Sequence, residues 1–537
     1  MSETQVPVVI SGAGPNGLMV ACELALAGVR PMVLERLPAP SDEPKANGMV
    51  GQVIRMLDMR GLYRRFTGSD DPPHPAYQWI FSGMSVPLFG VRDNPMYALM
   101  MAQPQLVRML DERARELGLD VRWGHELIGV RAGSDCAAVE VSGPDGSYTL
   151  ETAYLVGADG GRSTVRKSVG IDFPGHTSNT VARIAHVRVP DEMRGPNGSI
   201  DVPGVGPLPF GHNRLDRGGF IYAEFERERS MVGTIEFDQH TDDSEPMTLD
   251  ELRDSARRVL GVDLPVDAPA GDGPHAMRRI SGQNTRQADR YRAGSIFLVG
   301  DSAHVHSAMG GPGLNLGLQD AMNLGWKLAA AINGWAPAGL LDTYHSERYP
   351  VGERVMMHSM SQTALFGPGP EIAALRELFK ELLQLPSVAE HMAHLLAGSD
   401  VRYDVGDDHP LAGRLAPDLT LGDGRRISEL LHRGRPVLLD LSGGRVGETA
   451  GGWADRVDVV DGTLPDVAVC ALLIRPDGYV AWAADTFDAC DEDRLRTALQ
   501  RWFGVSVAEP GAARRGGALI FGPSKRANSV MASHGRR

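Results

Sequence analysis

The sequence predicts an α/β protein with a Rossmann-like dinucleotide-binding domain, a β-sheet domain inserted into it, and a second α/β unit near the C-terminal end. Three observations lead there. A glycine-rich turn links a β-branched run to a helical segment at the N-terminal end. Short apolar runs broken by Gly and Pro fill the middle of the chain, and strand-like runs return after residue 435. A length of 537 residues, at roughly 150 per domain, suits three domains.

In order, Val8-Val9-Ile10 reads as a strand, Gly12 to Gly17 as a turn, and Leu18 to Ala27 as a helix closed by Gly28. Pro31 to Leu34 is a second strand ending at Glu35, which makes a parallel βαβ unit. Gln105 to Leu117 is helical, with Leu106, Leu110 and Ala114 on one face. Residues 136–156 predict a hairpin or meander turning at Gly143-Pro144-Asp145-Gly146. Runs such as Gly218 to Tyr222 and Met231 to Ile235 place a separate β-rich domain between 176 and 240. Ile296 to Val299 is a strand, and Gly313 to Asn333 is a long helix with an apolar stripe of Leu314, Leu318, Ala321, Leu324, Leu328 and Ile332. A polar linker at 398–410 precedes strands at 436–441, 468–474 and 479–482 and a helix from about Asp491 to Phe503. The segment from Glu509 carries six Lys or Arg against one acidic residue and reads as a mobile tail rather than a nucleic-acid arm.

Composition excludes several classes. Hydrophobic residues make up 42% and charged residues 23%, which rules out wholesale disorder. Fifty-four Lys and Arg against 68 Asp and Glu give a net charge of −14, so a large nucleic-acid face is not expected. No apolar run approaches the ~18 residues of a membrane helix, and Met1 to Pro7 lacks a signal-peptide layout. Cys22, Cys136, Cys470 and Cys490 form no C-x-x-C and no metal spacing. A cytoplasmic protein without structural disulfides is the expectation.

Three motifs carry the chemistry. In Gly12-Ala13-Gly14-Pro15-Asn16-Gly17, Gly12 permits the tight turn, Gly14 lets a pyrophosphate approach the backbone, and Gly17 allows close helix–strand packing. The helix N-terminus supplies free N–H groups for that pyrophosphate. Glu35, 18 residues after Gly17, can bond both hydroxyls of an adenosine ribose. The second motif, Gly157 to Arg166 with Asp159-Gly160, follows Tyr154-Leu155-Val156, and the third is Gly300-Asp301-Ser302-Ala303-His304. Together they resemble the class A flavoprotein aromatic hydroxylases, the para-hydroxybenzoate hydroxylase group. Within it the chain is most similar to the longer actinobacterial enzymes that act on aromatic polyketides and rifampicin. The resemblance covers about residues 6–508.

That resemblance implies FAD as cofactor, transient NADPH (or NADH) as reductant, and dioxygen. Asp301 would accept hydrogen bonds from the ribityl hydroxyls, Asp159 would contact FAD in a motif also tied to NADPH handling, and Gln103 matches a flavin-contacting glutamine. The helix opening at Gly313-Leu314-Asn315 would aim its N–H groups at the pyrimidine edge of the flavin and stabilise the negative charge of its reduced form. Pro15, Asn16, Arg36 and Lys45 complete the expected cofactor set. The implied division is an FAD-binding domain in three parts (1–75, 98–175 and 284–397, the last with connecting helices), a β insert at 76–97 joining the substrate domain, a substrate-binding sheet at 176–283, a thioredoxin-like domain at 398–508 and a flexible tail at 509–537. The thioredoxin-like domain lacks Cys-x-x-Cys, because Leu441-Ser442-Gly443-Gly444-Arg445-Val446 stands where that pair belongs. It is expected to be a structural or docking element.

The chain departs from the family pattern in four places. Lys45 replaces the usual arginine, which keeps the charge and loses the planar fork. Val107 replaces a glutamate, Ser307-Ala308 a proline pair, and Pro312 a glutamine. The Ala308 carbonyl can still accept the hydrogen bond that a flavin hydroperoxide gives in relatives, since that contact is backbone-borne.

The implied function is insertion of one oxygen atom from dioxygen into a polycyclic aromatic, polyketide- or antibiotic-like substrate through a flavin C4a-hydroperoxide. Baeyer–Villiger oxygenation, a reductase or dehydrogenase, and a non-catalytic aromatic binder are alternatives on the same fold. Substrate candidates are Phe210, His212, Tyr222 and Met100, and His212 and Tyr222 are also candidates for a phenol-activating base. Each of these has an ordinary packing or surface reading beside the functional one, and Met96, Met100 and Met101 read equally well as pocket wall or core strand. His304-Val305-His306 invites a metal reading, yet no third ligand has suitable spacing, so none is expected. No nucleic-acid or membrane partner is expected, and the assembly is a monomer or homodimer.

Overall fold

The computed structural model describes the chain except residues 1–3, 134–135, 225–227, 240, 242–244, 308, 465–468 and 508–537. The expected tail at 509–537 and the Ala308 carbonyl therefore lie outside the described residues.

The largest sheet has five parallel strands in the order Ile296–Leu298, Gly146–Gly157, Thr4–Ser11, Met32–Glu35 and Asp120–Trp123. Val8, Val9, Ile10, Val33, Leu155, Val156 and Phe297 have no exposed surface, as strands covered on both faces require. The first strand is central, and the chain leaves it for one neighbour and returns on the other side. That reversal opens a crevice at the carboxyl ends of the strands. Antiparallel Ala137–Gly143 and Glu126–Ala132 extend the sheet, with the predicted turn at 143–146.

A five-stranded antiparallel sheet is inserted between Ile171 and Asn284, ordered Gly211–Leu215, Gly218–Ala223, Ser230–Phe237, Thr180–Val187, Met277–Ser281. Alternation gives it two different faces. Phe220, Tyr222 and Val232 pack under the helix Leu249–Leu260. Ala182, Ile221 and Ile235 point the other way and meet Met309 and Phe366 of the nucleotide-binding part. The hairpin Gln78–Phe81 and Met84–Pro87 forms its own two-stranded sheet and buries Phe81, Met84 and Val86 against the helices Pro370–Leu383 and Pro386–Ala397.

The last unit is a four-stranded sheet in the order Asp458–Asp461, Val437–Asp440, Ala471–Ile474, Val480–Ala484, with only the first pair parallel. Its final helix starts at Ala489, two residues before the expected Asp491, because the Asp488 carboxylate accepts the N–H groups of Cys490 and Asp491.

The long helix spans Pro312–Ile332 and opens with Pro at its first position. It differs from the expected one-sided stripe, since every residue from Asn315 to Ala330 is buried. Its polar residues are neutralised internally. Lys327 donates to Glu347 at 2.7 Å, Asn323 donates to the same carboxylate at 2.7 Å, and Arg475 of the last unit pairs with Glu347 at 2.6 and 2.8 Å and with Asp477. Arg60 similarly holds Glu23 at 2.7 and 2.8 Å while donating to the carbonyls of Leu431 and Pro476. Buried ion pairs thus fasten the last unit to the nucleotide-binding core.

His358, on the helix Thr343–Phe366, is buried with Nδ1 unpartnered. Burial lowers its pKa from 6.5 to about 4, opposed by Asp400 and reinforced by Arg354. Between those pH values the unfolded chain binds a proton that the folded protein refuses, so stability falls as pH drops from 6.5 to 4. The loss is on the order of 3 kcal/mol. Thermal denaturation across this range should show a steeper acid slope in the wild type than in His358→Gln, and equal slopes would contradict the assignment.

Candidate active site

The three glycine motifs leave the main sheet at one level. Ser11 is in register with Gly157, and Gly157 with Leu298, so the turns begin side by side at the carboxyl edge. Bonds from Gly12 N–H to Leu34, Ala158 N–H to Ser11 and Val299 N–H to Gly157 carry the ladder into the loops.

The first loop is shaped by its glycines. A Cβ on Gly17 would collide with the Gly12 carbonyl, and one on Gly12, at φ +105°, with the Ala158 carbonyl. Gly14 differs, because a Cβ there meets nothing within 4 Å. That space belongs to a cavity of about 350 Å³ lined by Gly12, Gly14, Glu35, Lys45, Gln103 and Asp159, among others. No side chain caps the helix Pro15–Leu26, so its first N–H groups are available to a ligand. The Glu35 carboxylate accepts from Ala13 N–H at 2.9 Å and Leu37 N–H at 3.0 Å, and Arg36 lines the same cavity. One oxygen of Asp159 accepts from Thr164 and Val165 N–H at 2.7 and 3.0 Å, while its other oxygen is buried without a partner. An anionic dinucleotide fits this set of free donors and open backbone.

Further along the crevice, Gln103 holds the Lys45–Ala46 loop twice. Its N–H donates to the Ala46 carbonyl at 2.8 Å, and its side-chain oxygen accepts from Ala46 N–H at 3.4 Å. Lys45 is half-exposed and 3.4 Å from Glu43. Asp301 is an exposed residue, and the protein packed about it raises its pKa, while His304 and Lys45 lower it. The helix Pro312–Ile332 has no side-chain cap, so Gly313 and Leu314 sit in a free first turn. Asn315 is already committed, accepting from Val50 N–H at 2.9 Å and donating to the Gly311 carbonyl at 2.9 Å.

How the motif residues prop one another is visible only in the fold. The Asn16 amide is wedged where a Cβ on either Gly300 or Gly317 would collide with it. Arg166 donates to the Ser302 carbonyl at 2.8 Å and the Gly161 carbonyl at 3.0 Å, tying the second motif to the third, and stacks on Phe173 at 3.7 Å. Fully buried Asp320 accepts from Gly300 N–H at 3.3 Å, meets His304 at 2.6 Å and pairs with Arg348 at 2.7 Å. Burial works to raise its pKa, but Arg348 and His304 hold it below the usual carboxylate range. His304 is thereby a prop for the Asp301 loop. Among the described residues no group of three or more His, Cys, Asp or Glu is placed to hold a metal ion. The signal missed in the sequence was the charge at Asp320 and Lys327 inside a helix whose every face is apolar enough to bury.

The substrate candidates separate. His212 stands opposite Ile221 and so shares the sheet face that meets Met309 and Phe366. Tyr222 lies on the other face, fully buried, with its hydroxyl 3.2 Å from Glu224, because alternation turns it away from the crevice. Phe210 is 40% exposed beside Gly198. Met100 is 58% exposed next to Gly48, while Met96 and Met101 are buried in two different cores. A second cavity of about 610 Å³ lies beyond the Asp159–Gly160 turn, with Arg162, Lys167, Arg286 and His306 on its walls and no carboxylate lining it among the described residues.

The FAD binding domain family matches residues 5–359, and the family described as aromatic-ring hydroxylase, C-terminal, matches 409–506. The fold and crevice are those of a flavoprotein of this class, and the chain belongs to the FAD-dependent aromatic hydroxylases. It is 42% identical over 512 residues to 12-dehydrotetracycline 5-monooxygenase/anhydrotetracycline 6-monooxygenase of Streptomyces rimosus, covering 93% of this chain and 98% of that one. It is 38% identical to rifampicin monooxygenase of Streptomyces venezuelae, over 93% and 99% of the two chains. The solved structure of OxyS anhydrotetracycline hydroxylase from Streptomyces rimosus superposes with a TM-score of 0.82 at 40% identity, over 94% and 100%. No helix among the described residues is long and apolar enough to cross a membrane.

Proposed function

We propose that the protein is an NADPH-dependent monooxygenase that inserts one atom of dioxygen into a polycyclic aromatic substrate of the polyketide or antibiotic type. What carries this reading is the alignment of three motifs at one sheet edge, facing the apolar side of the inserted sheet. Relatives named for tetracycline and rifampicin chemistry support the substrate class.

Glu35 and Arg36 would hold the adenosine, Gly12 to Gly17 with Pro15 and Asn16 the pyrophosphate, and Asp159 and Asp301 the central and ribityl region. The first turn at Gly313-Leu314-Asn315, with Lys45 and Gln103, would receive the ring system. FAD, when bound, supplies the hydride acceptance and oxygen activation that side chains cannot. The protein's share is to orient the aromatic ring against the apolar sheet face and to exclude water from it. The positive end of the Pro312–Ile332 helix stabilises negative charge that develops beside it. The unit at 398–508 reads as thioredoxin-like from its strand order and serves as a fastening element, consistent with its buried ion pairs to the core.

The second cavity suits the nicotinamide coenzyme, since Arg162, Lys167 and Arg286 face it without a carboxylate partner among the described residues. Changing Lys167, which lines the second cavity and not the first, to Ala should raise KM for NADPH about ten- to a hundredfold, as loss of a charged hydrogen bond of about 1.5–3 kcal/mol predicts, with FAD content unchanged. Steady-state kinetics check this, and an unchanged KM would place the coenzyme elsewhere. The reading as a whole is tested by adding NADPH anaerobically to the FAD-loaded protein. Rapid bleaching of the flavin spectrum that depends on a polyphenolic ligand supports it. A protein that takes up no FAD contradicts it.

A further inference from the structure

We infer that His212 is the group that accepts the phenolic proton of the bound aromatic substrate, an assignment that rests on the monooxygenase reading above. His212 lies on the edge strand Gly211–Leu215, opposite Ile221, on the sheet face that meets Met309 two residues before the cap of the Pro312–Ile332 helix. Its ring meets Phe366 edge-on at 6.2 Å, and the backbone of the Ser82-Gly83 turn closes over its carbonyl. Neither ring nitrogen has a hydrogen-bond partner among the described residues, and neither is sealed from solvent. A half-buried imidazole that is crowded by apolar groups, yet open at its nitrogens, is placed to meet a ligand.

The surroundings keep it neutral. Burial alone lowers its pKa below the ordinary 6.5. Arg214 on its own strand and Arg376 beside the Ser82-Gly83 turn are both spent on carbonyls. Arg214 donates to Gly367 and Gly369, and Arg376 donates to Ser82 and Leu365. The adjoining strand Gly218–Ala223 presents only Gly219, Ile221 and Ala223 to this face.

The step moves one proton and no electrons between molecules. The phenol O–H bond breaks, its proton passes to a free imidazole nitrogen, and the electron pair stays on oxygen, where it enriches the ring. The attraction between imidazolium and phenolate against this apolar sheet face offsets the cost of charging both. The proton returns to oxygen as the product leaves. His212 therefore acts on the acidity of the substrate, which a packing residue would not alter.

The test uses FAD-loaded wild type and His212→Gln with 1,8-dihydroxyanthraquinone as probe, whose visible band moves when a phenol ionises. The flavin band is subtracted from a probe-free reference. In the wild type the bound probe should ionise about one pH unit or more below its free value, a tenfold gain in acidity. His212→Gln should lose that shift while keeping FAD content and probe affinity within about threefold. With a turned-over phenol its rate should fall by about 10²–10⁴ near neutral pH and recover as pH rises and the substrate ionises unaided. Equal ionisation shifts in both proteins would overturn the assignment while leaving the monooxygenase reading intact. A wild type that neither binds the probe nor oxidises NADPH faster in the presence of any phenol contradicts that reading, and His212 falls with it.

Discussion

Replacing Arg475 by methionine should lower the unfolding free energy by about 3–5 kcal/mol, the loss expected when one partner leaves a buried ion cluster. Arg475 has no exposed surface and makes 2.6 and 2.8 Å contacts to Glu347 and a 3.0 Å contact to Asp477. Burial works to raise the Glu347 pKa, while Arg475 and Lys327 hold it below the usual range. Without the guanidinium, Lys327 alone faces two carboxylates sealed from water. The change also removes a cation stacked over Trp502 at 4.6 Å. Chemical denaturation checks this through the midpoint. A variant as stable as the wild type would mean that the last unit is held mainly by its apolar contacts, such as Trp326 against Trp502.

The second large effect separates two glycines of one loop. Gly17→Ala forces a methyl into the Gly12 carbonyl, so it should cost about 1–3 kcal/mol in the ligand-free protein and weaken FAD binding by tenfold or more. Gly14→Ala should leave ligand-free stability within about 0.5 kcal/mol, because its Cβ meets nothing within 4 Å and its φ of −71° suits alanine. It should nevertheless weaken FAD by about a hundredfold, since the methyl stands at the proposed pyrophosphate position. Thermal melts of the apoprotein and fluorescence titration with FAD read the two effects apart. A Gly14→Ala variant that binds FAD normally would remove the pyrophosphate from this loop.

The crevice was legible because its constraints are local. A glycine turn after a strand needs few residues and fixed spacing, and the carboxylates at 35, 159 and 301 follow strand ends that periodicity finds. The hairpin at 143–146 and the parallel βαβ unit were readable for the same reason. What the sequence hid depends on contacts far apart in the chain. Asp320 and Lys327 look like the wet side of a helix until Arg348, Glu347 and Arg475 arrive from elsewhere. Asn16 reads as a cofactor contact of the first motif, and its place against Gly300 and Gly317 emerges only from the fold. His212 and Tyr222 are equal candidates in the sequence, and only the strand pairing, with Tyr222 opposite Gly211 and His212 opposite Ile221, assigns them to opposite faces.

In the proposed function this crevice couples NADPH oxidation to oxygen insertion into an aromatic ring. The most direct measurement is product mass under ¹⁸O-labelled dioxygen, with NADPH consumption followed in the same reaction. Anhydrotetracycline, the compound named for the Streptomyces rimosus relative, heads a panel of polycyclic phenols. The account predicts one labelled oxygen atom gained per NADPH consumed with at least one member of the panel. NADPH consumption that yields only hydrogen peroxide, with no labelled product from any of them, would contradict it.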